Sequence, residues 1–232
     1  LNTMNKNIIL LALLVIVIVL AGYWSVNRNN SNRSTKREIT DSQKILPKQT
    51  AEGLRLEIDP VKSIIRWEAK KTLVTTNNHN GTVDLRNGFV MTEKGVLVGG
   101  EFVINMNSII SLDLEGDSKK KLETHLISTD FFDVDNFPET QLTIKEVTPL
   151  ENSNFSIIAD LTIKGITNEI TFDATLHSVN DKLLLKTKLE IDRTLWNVRF
   201  GSGKFFDNLG DNLIDDQIKF SVELMTVERK RN

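Results

Sequence analysis

The chain has 232 residues, a formal net charge of −2 at pH 7 and no cysteine. The length suits one domain with an accessory segment, and the nearly balanced charge argues against a nucleic-acid partner. The lack of cysteine excludes thiol catalysis, thiolate metal sites, disulfides and lipidation at a cysteine.

The first part of the chain is strongly apolar. Residues 8–20 contain twelve Ile, Leu and Val residues and one Ala, and Tyr23 and Trp24 follow them. At about −0.3 to −0.6 kcal/mol for each aliphatic residue near the bilayer centre, this run favours insertion by about 4 to 7 kcal/mol. We therefore expect residues 1–26 to form an N-terminal membrane helix or a signal sequence.

The two alternatives predict different locations. A retained anchor holds the following domain at the cell membrane on its periplasmic or extracytoplasmic side, whereas cleavage secretes the domain to the periplasm. Basic residues after the run outnumber Lys6 before it, which by itself favours the opposite orientation, although long domains cross largely regardless of charge. We expect the anchored, extracytoplasmic form.

Residues 27–53 are rich in Asn, Ser, Arg, Lys and Thr and have almost no apolar cluster. Such a composition is too hydrophilic to build a core. It predicts a flexible polar tether, which leaves residues 54–228 as the folded domain.

From residue 54 onward, apolar and polar residues alternate with a period of two, which is typical of half-buried strands. Turn signals such as Asn80-Gly81 and Lys164-Gly165 separate eight or more such segments. So many short strands predict a sandwich or a closed barrel. Within one of them, the alternation places Val96 and Val98 on the same face as Phe102.

One segment reads as a helix. Residues 117–127 begin with Asp117 or Ser118 as the expected cap, and Leu122 and Leu126 share a face. We expect this helix to lie across one end of the barrel.

The inward faces of the predicted strands carry Val, Ile, Leu and Phe with small residues such as Gly100 and Ala159 between them. A barrel of about eight strands is either filled by its side chains or keeps room for one small ligand. The pattern alone favours the solid core.

Several motifs occur in a characteristic order along the chain. These are Leu56-Glu57-Ile58-Asp59-Pro60, Asn80-Gly81-Thr82, Met106-Asn107-Ser108-Ile109, His125-Leu126 through Phe137-Pro138, Asp160-Leu161-Thr162-Ile163-Lys164-Gly165, and Ile191-Asp192-Arg193 with Trp196. In this order they resemble the YceI-like family of lipid-binding proteins, over roughly residues 54–227. Trp196-Asn197 stands where the family more often has Phe-Gly.

The resemblance implies an all-β fold: an extended antiparallel eight-stranded lipocalin-like β-barrel with one short helix, here preceded by the N-terminal membrane helix. It implies a tunnel for a long isoprenoid or fatty-acyl lipid, no cofactor and often a homodimer. We expect His79 to reach a polar head group and nine side chains to line the tunnel: Trp67, Val83, Leu85, Phe89, Phe102, Ile104, Leu142, Ile144 and Phe172.

The sequence gives little support to catalysis. Three histidines about fifty positions apart do not make a metal cluster, and no nucleophile-elbow or zincin spacing occurs. Asp113, Glu115 and Asp117 do not match the spacing of a calcium loop. We expect a non-catalytic lipid-binding protein; the alternative is a scaffold or adhesion barrel with a filled interior that acts through its outer surface.

Overall fold

The computed structural model describes residues 53–70 and 78–228. Within these residues the chain forms nine strands and one α-helix, and all strand pairs are antiparallel. In chain order the elements are β1 (Leu54–Glu57), β2 (Ile64–Lys70), β3 (Asn78–Glu93), β4 (Val96–Ser111), α1 (Gly116–Ile127), β5 (Glu139–Pro149), β6 (Asn154–Ile163), β7 (Ile166–Val179), β8 (Lys182–Asp192) and β9 (Gln217–Met225).

The strands close into a barrel. Their order is β1-β3-β2-β9-β8-β7-β6-β5-β4, and β4 pairs with β3 to complete the circle. β1 and β2 pair with successive parts of β3, Leu54 opposite Thr92 and Ile65 opposite Val83. They therefore share one of eight positions around the barrel, which confirms the predicted eight-stranded architecture and excludes a sandwich.

The two ends of the barrel differ in packing. At the end that contains the β3–β4 turn, Val90, Leu97 and Ile157 are at most 1% exposed. α1 packs at the opposite end, which we call the helix end, where Leu126 enters the hydrophobic core and Leu122 packs against it. Glu123 of α1 accepts a hydrogen bond from the Ser111 N–H at 2.8 Å and so fixes the helix to the end of β4.

The helix prediction is confirmed in its extent, but the predicted cap is wrong. α1 starts one residue earlier, at Gly116, with a φ of +55°. The residue before it, Glu115, is extended and caps no helical N–H through its side chain. Glycine adopts such a positive φ without the steric cost that a Cβ would add, so a sharp backbone turn, instead of Asp117 or Ser118, begins this helix.

Bulges reverse the inward face of two strands, and the simple alternation fails there. β3 and β4 shift register between Leu85 and Asn87 and again between Met91 and Thr92. Each extra residue exchanges the inward and outward positions beyond it. Val96 and Val98 are consequently 40% and 44% exposed, and the buried residue between them is Leu97. The predicted inward placement of Val96 and Val98 is wrong.

The predicted membrane segment at residues 1–26 and all of the tether except Gly53 lie outside the described residues. Among residues 53–70 and 78–228, the structure contains no helix with the length and apolarity needed to cross a bilayer.

Candidate ligand cavity

The barrel encloses an apolar cavity of about 120 Å³ between its tightly packed end and α1. Apart from Thr140 and Thr187, its wall consists of Ile, Leu, Val and Phe side chains. These residues occupy inward positions of β2 to β9, so the same alternation that builds the barrel makes its interior apolar. The interior is therefore not the solid core that the pattern alone favoured.

Two glycines position Phe102 in this wall. A Cβ at Gly88 would lie 2.8 Å from Cδ1 of Phe102, and one at Gly100 would lie 3.3 Å from its Cζ. Phe102 itself is 5% exposed. Its ring thus packs directly on backbone that carries no side chain, and larger residues at these two sites would push the ring toward the cavity.

A second apolar cavity of about 80 Å³ lies between the first cavity and α1. Its wall includes Trp67 and Met106 from the barrel, Leu126 of α1 and Phe131 from the segment after the helix. The two cavities share wall residues. They are therefore neighbouring chambers separated by those shared residues, and together they extend from the middle of the barrel to the helix end.

Arg193 organises the segment 193–216, which covers the helix end together with α1. Its side chain is 1% exposed, and its guanidinium donates to four backbone carbonyls and to the Asp216 carboxylate. The carbonyls belong to Val198, Phe200, Ile214 and Asp215, at 2.8 to 3.3 Å. Because all its donors are used within the protein, Arg193 closes the barrel and is not free to bind a ligand.

Burial lowers the pKa of Arg193, and the nearby Asp216 opposes that shift. Outside the cavity wall, the Lys204 ammonium contacts the carboxylates of Asp192 and Asp216. Burial of Asp192 opposes its ionisation, but hydrogen bonds from Lys204 and Thr194 outweigh that effect and lower its pKa. These charges fasten the covering segment to the end of β8 and leave the chambers apolar.

The wall of the barrel is incompletely paired between β7 and β8. Their ladder runs only from Ala174 opposite Thr187 to Val179 opposite Lys182. Beyond it, the Thr187 hydroxyl donates to the Asp173 carbonyl at 2.7 Å in place of a further ladder bond. The rest of both strands toward the helix end has no mutual ladder, and Phe172 and Leu189 of this region line the larger chamber.

The structure brings seven of the ten residues predicted for the site together in the wall of the larger chamber. These are Val83, Leu85, Phe102, Ile104, Leu142, Ile144 and Phe172. Trp67 is 6% exposed and lines the second chamber instead. Contact of these residues with a lipid stays a prediction.

Two predicted residues lie outside the chambers. The predicted inward position of Phe89 is wrong, and contact of His79 with a head group stays a prediction. Phe89 follows the bulge after Leu85 and faces outward, where the Arg55 guanidinium lies 3.3 Å from the centre of its ring. His79 lies near the start of β3, and its Nδ1 is 2.8 Å from a carboxylate oxygen of Asp113. It belongs to neither chamber wall.

The sequence prediction missed the contribution of the last two strands to the larger chamber. Their wall residues are Leu185, Leu189, Ile191, Phe220, Val222 and Leu224. The signal was present, because β8 and β9 show the same alternation as the earlier strands. Alternation shows which face points inward, but it does not show at which level of the barrel a cavity lies.

The described part of the chain shows no arrangement suited to metal binding. Among residues 53–70 and 78–228, no three His, Asp or Glu side chains are close enough together to hold an ion. Apart from Thr140, Thr187 and Arg193, the walls of the two chambers are apolar, and such walls are suited to contact with a hydrocarbon.

Comparison with known proteins agrees with the fold. A family model described as the YceI-like domain matches residues 56–226. Two UPF0312 proteins of Staphylococcus aureus are similar over shorter stretches. The protein of strain bovine RF122 / ET3-1 is 41% identical over 70 residues, and the protein of strain N315 is 47% identical over 58 residues. These stretches cover 30% and 25% of this chain, and only 36% and 31% of the relatives' own lengths.

Two solved structures share the fold at low sequence identity. BcnA of Burkholderia cenocepacia has a TM-score of 0.60 at 20% identity, over 73% of this chain and 99% of its own. A polyisoprenoid binding domain from Saccharophagus degradans, implicated in plant cell wall breakdown, has a TM-score of 0.56 at 12% identity, over 75% of this chain and 98% of its own.

Proposed function

The chain belongs to the YceI-like family, and on this premise we propose that it binds, transports or stores a long-chain isoprenoid or fatty-acyl lipid without catalysing a reaction. The observation that carries the proposal is the enclosed cavity of about 120 Å³ with an apolar wall. The similar fold of a polyisoprenoid binding domain supports the chemical class of the tail.

Apolar contact supplies enough free energy for binding once a long tail is buried along most of its length. Each buried CH₂ group contributes about 0.8 kcal/mol, so a tail of about twenty carbons offers about 16 kcal/mol. Association costs roughly 4 to 15 kcal/mol. A polar head group then needs only to orient the lipid.

The volume limits how a long tail fits. An apolar cavity of about 150 Å³ holds one benzene molecule, so the larger chamber in the described geometry accommodates on the order of six carbons. A long-chain tail therefore needs additional space, which movement of wall side chains supplies. The region between β7 and β8 beyond their ladder, bordered by Phe172 and Leu189, has no mutual ladder bonds to resist such movement.

The alternative function, a scaffold or adhesion barrel, requires a filled interior. The two apolar chambers disfavour that alternative. Exposed apolar side chains, Val96 and Val98 among them, are the outer-surface features that it would use.

Native mass spectrometry of the purified full chain tests the proposal. The protein is examined as isolated, and again after delipidation and incubation with saturated fatty acids or with the prenols geraniol, farnesol and geranylgeraniol. We expect a bound lipid of stoichiometry one that is recovered chemically unchanged. A chain that retains none of these compounds would contradict the proposed function, and a recovered product of altered mass would contradict its non-catalytic character.

We also propose that the protein is attached to the cell membrane through residues 1–26, with the barrel on the extracytoplasmic side. The proposal is supported by the apolar run at residues 8–20. Alkaline carbonate extraction tests attachment, and protease digestion of intact cells tests the side. The homodimer expected from the resemblance stays a prediction, which sedimentation at several protein concentrations tests.

A further inference from the structure

Four side chains border both chambers: Val83, Thr140, Ile163 and Phe220. They belong to β3, β5, β6 and β9, which occupy different sides of the barrel. They therefore surround the boundary between the chambers, and we call them the ring residues. Val83, Thr140 and Ile163 are buried, whereas Phe220 is half-buried and has the largest side chain of the four.

Neighbouring strands hold Phe220 in place. It stands opposite Trp67 of β2 and opposite Leu189 of β8. The Trp67 indole N–H donates to the Thr82 carbonyl at 3.3 Å, and a Cβ at Gly81 would lie 2.5 Å from Cζ2 of the indole. Since Trp67 is packed against backbone on one side, it limits the space into which the Phe220 ring can move.

We propose that the ring residues, Phe220 above all, set the length of the hydrocarbon tail that the barrel accepts. This inference rests on the proposed lipid-binding function and adds a limit on the length of the bound tail. In the described geometry, a tail that fills the larger chamber meets the ring before it reaches the second chamber. Tails short enough to end at the ring bind without displacing it, and longer tails must move Phe220 aside.

The size of the expected change follows from the atoms removed. Phe220→Ala deletes six carbons from the ring, as many as benzene contains, and a cavity of about 150 Å³ accommodates one benzene. It also connects the larger chamber to the further volume of about 80 Å³ under α1. We expect the preferred tail to lengthen by about six carbons or more, slightly over one isoprenoid unit.

The experiment uses the delipidated full chain and an equimolar series of odd- and even-numbered saturated fatty acids from butanoic to eicosanoic acid. Native mass spectrometry identifies which acids are retained by the wild type, Phe220→Ala and the milder Phe220→Leu. Phe220→Leu deletes three carbons and is expected to give about half the shift. It also keeps the test available if the alanine variant does not fold.

Ala69→Leu separates an effect of the ring from a general effect of volume. Ala69 lines the second chamber and not the larger one, so the leucine fills the second chamber with three additional carbons. In the wild-type background we expect no change in the retained acids, because the ring isolates that chamber. In the Phe220→Ala background we expect the retained tail to become shorter by about three carbons, a non-additive result characteristic of coupled sites.

The outcomes distinguish the inference from the function on which it rests. A wild-type protein that retains none of the acids and none of the prenols overturns both. A wild-type protein that retains acids, together with an unchanged profile for both Phe220 variants, overturns the role of the ring and leaves the function standing. A shorter retained tail in the single variant Ala69→Leu also overturns the role of the ring, because the tail would then already occupy the second chamber of the wild-type protein.

Discussion

Replacement of Arg193 by Met tests whether one buried side chain closes the barrel. The guanidinium donates five hydrogen bonds, four of them to backbone carbonyls of the covering segment 193–216. Hydrogen bonds to charged groups contribute about 1.5–3 kcal/mol each, and loss of one partner of a buried pair costs about 3–5 kcal/mol. Methionine fills much of the volume but satisfies none of the carbonyls, so we expect a loss of about 3–5 kcal/mol.

The loss should appear as a lower midpoint of urea unfolding. At a slope of about 1–3 kcal/mol per M, the midpoint should fall by about 1–5 M. Hydrogen exchange should accelerate at the N–H groups of Val198, Ser202 and Ile214 in the covering segment, while those of β6 stay protected.

Arg199→Met is the matched control. Arg199 lies in the same segment, but it is exposed and its guanidinium lies 4.4 Å from the centre of the Phe205 ring. An exposed cation–π contact contributes about 0.5–1 kcal/mol, so this variant should unfold close to the wild type. Equal midpoints for Arg193→Met and Arg199→Met would refute the assignment of the closing role to Arg193.

Three further predictions concern single residues. Phe102→Arg places a charge in the wall of the larger chamber and should abolish lipid retention in native mass spectra. Phe89→Arg, at an outward position, should still retain lipid. Normal retention by Phe102→Arg would contradict the interior site. Gly81→Ala brings a Cβ within 1.8 Å of the Ile110 carbonyl oxygen. We therefore expect the free energy of unfolding, measured in urea, to fall by about 1–3 kcal/mol or more. An unchanged midpoint would argue against this contact. Burial of Asp113 opposes its ionisation, but hydrogen bonds from the Asn80 N–H, His79 and Ser111 outweigh that effect and hold its pKa below the usual 3.8. Its stabilising contribution is therefore complete above about pH 3.8 and is lost as the pH falls through the lowered pKa. Asp113→Asn should lower the urea midpoint at neutral pH and flatten its decline in acid, and parallel curves for the two proteins would exclude this role.

The sequence specified the kind of element well, because alternation is a local property. Strands with one inward apolar face, the helix that ends at Ile127 and the short turns at Asn80-Gly81 and Lys164-Gly165 all follow from neighbouring residues. The ordered motifs add the family, and the family match over residues 56–226 confirms that resemblance. For the same reason, the inward placement of Val83, Leu85 and Phe102 could be predicted.

The positions of Phe89 and Val98 could not be predicted in this way. Both lie beyond bulges of β3 and β4, and a bulge arises from how two strands pair across the sheet. One extra residue exchanges the inward and outward faces of the strand. A prediction that continues the alternation past that residue therefore assigns each side chain to the wrong face. Only the pairing of the strands in the structure shows at which residue the inward face changes.

Amino-acid order alone determined that this chain builds many short strands with one apolar face each, since each strand carries its own pattern. The ordered motifs, through the family that they resemble, added the antiparallel barrel. The folded structure decided how much of the barrel interior remains open. Cavity volume depends on how side chains from strands far apart in sequence meet, as Val83 and Phe220 do at the boundary between the chambers. It also decided how the barrel closes, because Arg193 acts through carbonyls that only the fold brings within its reach.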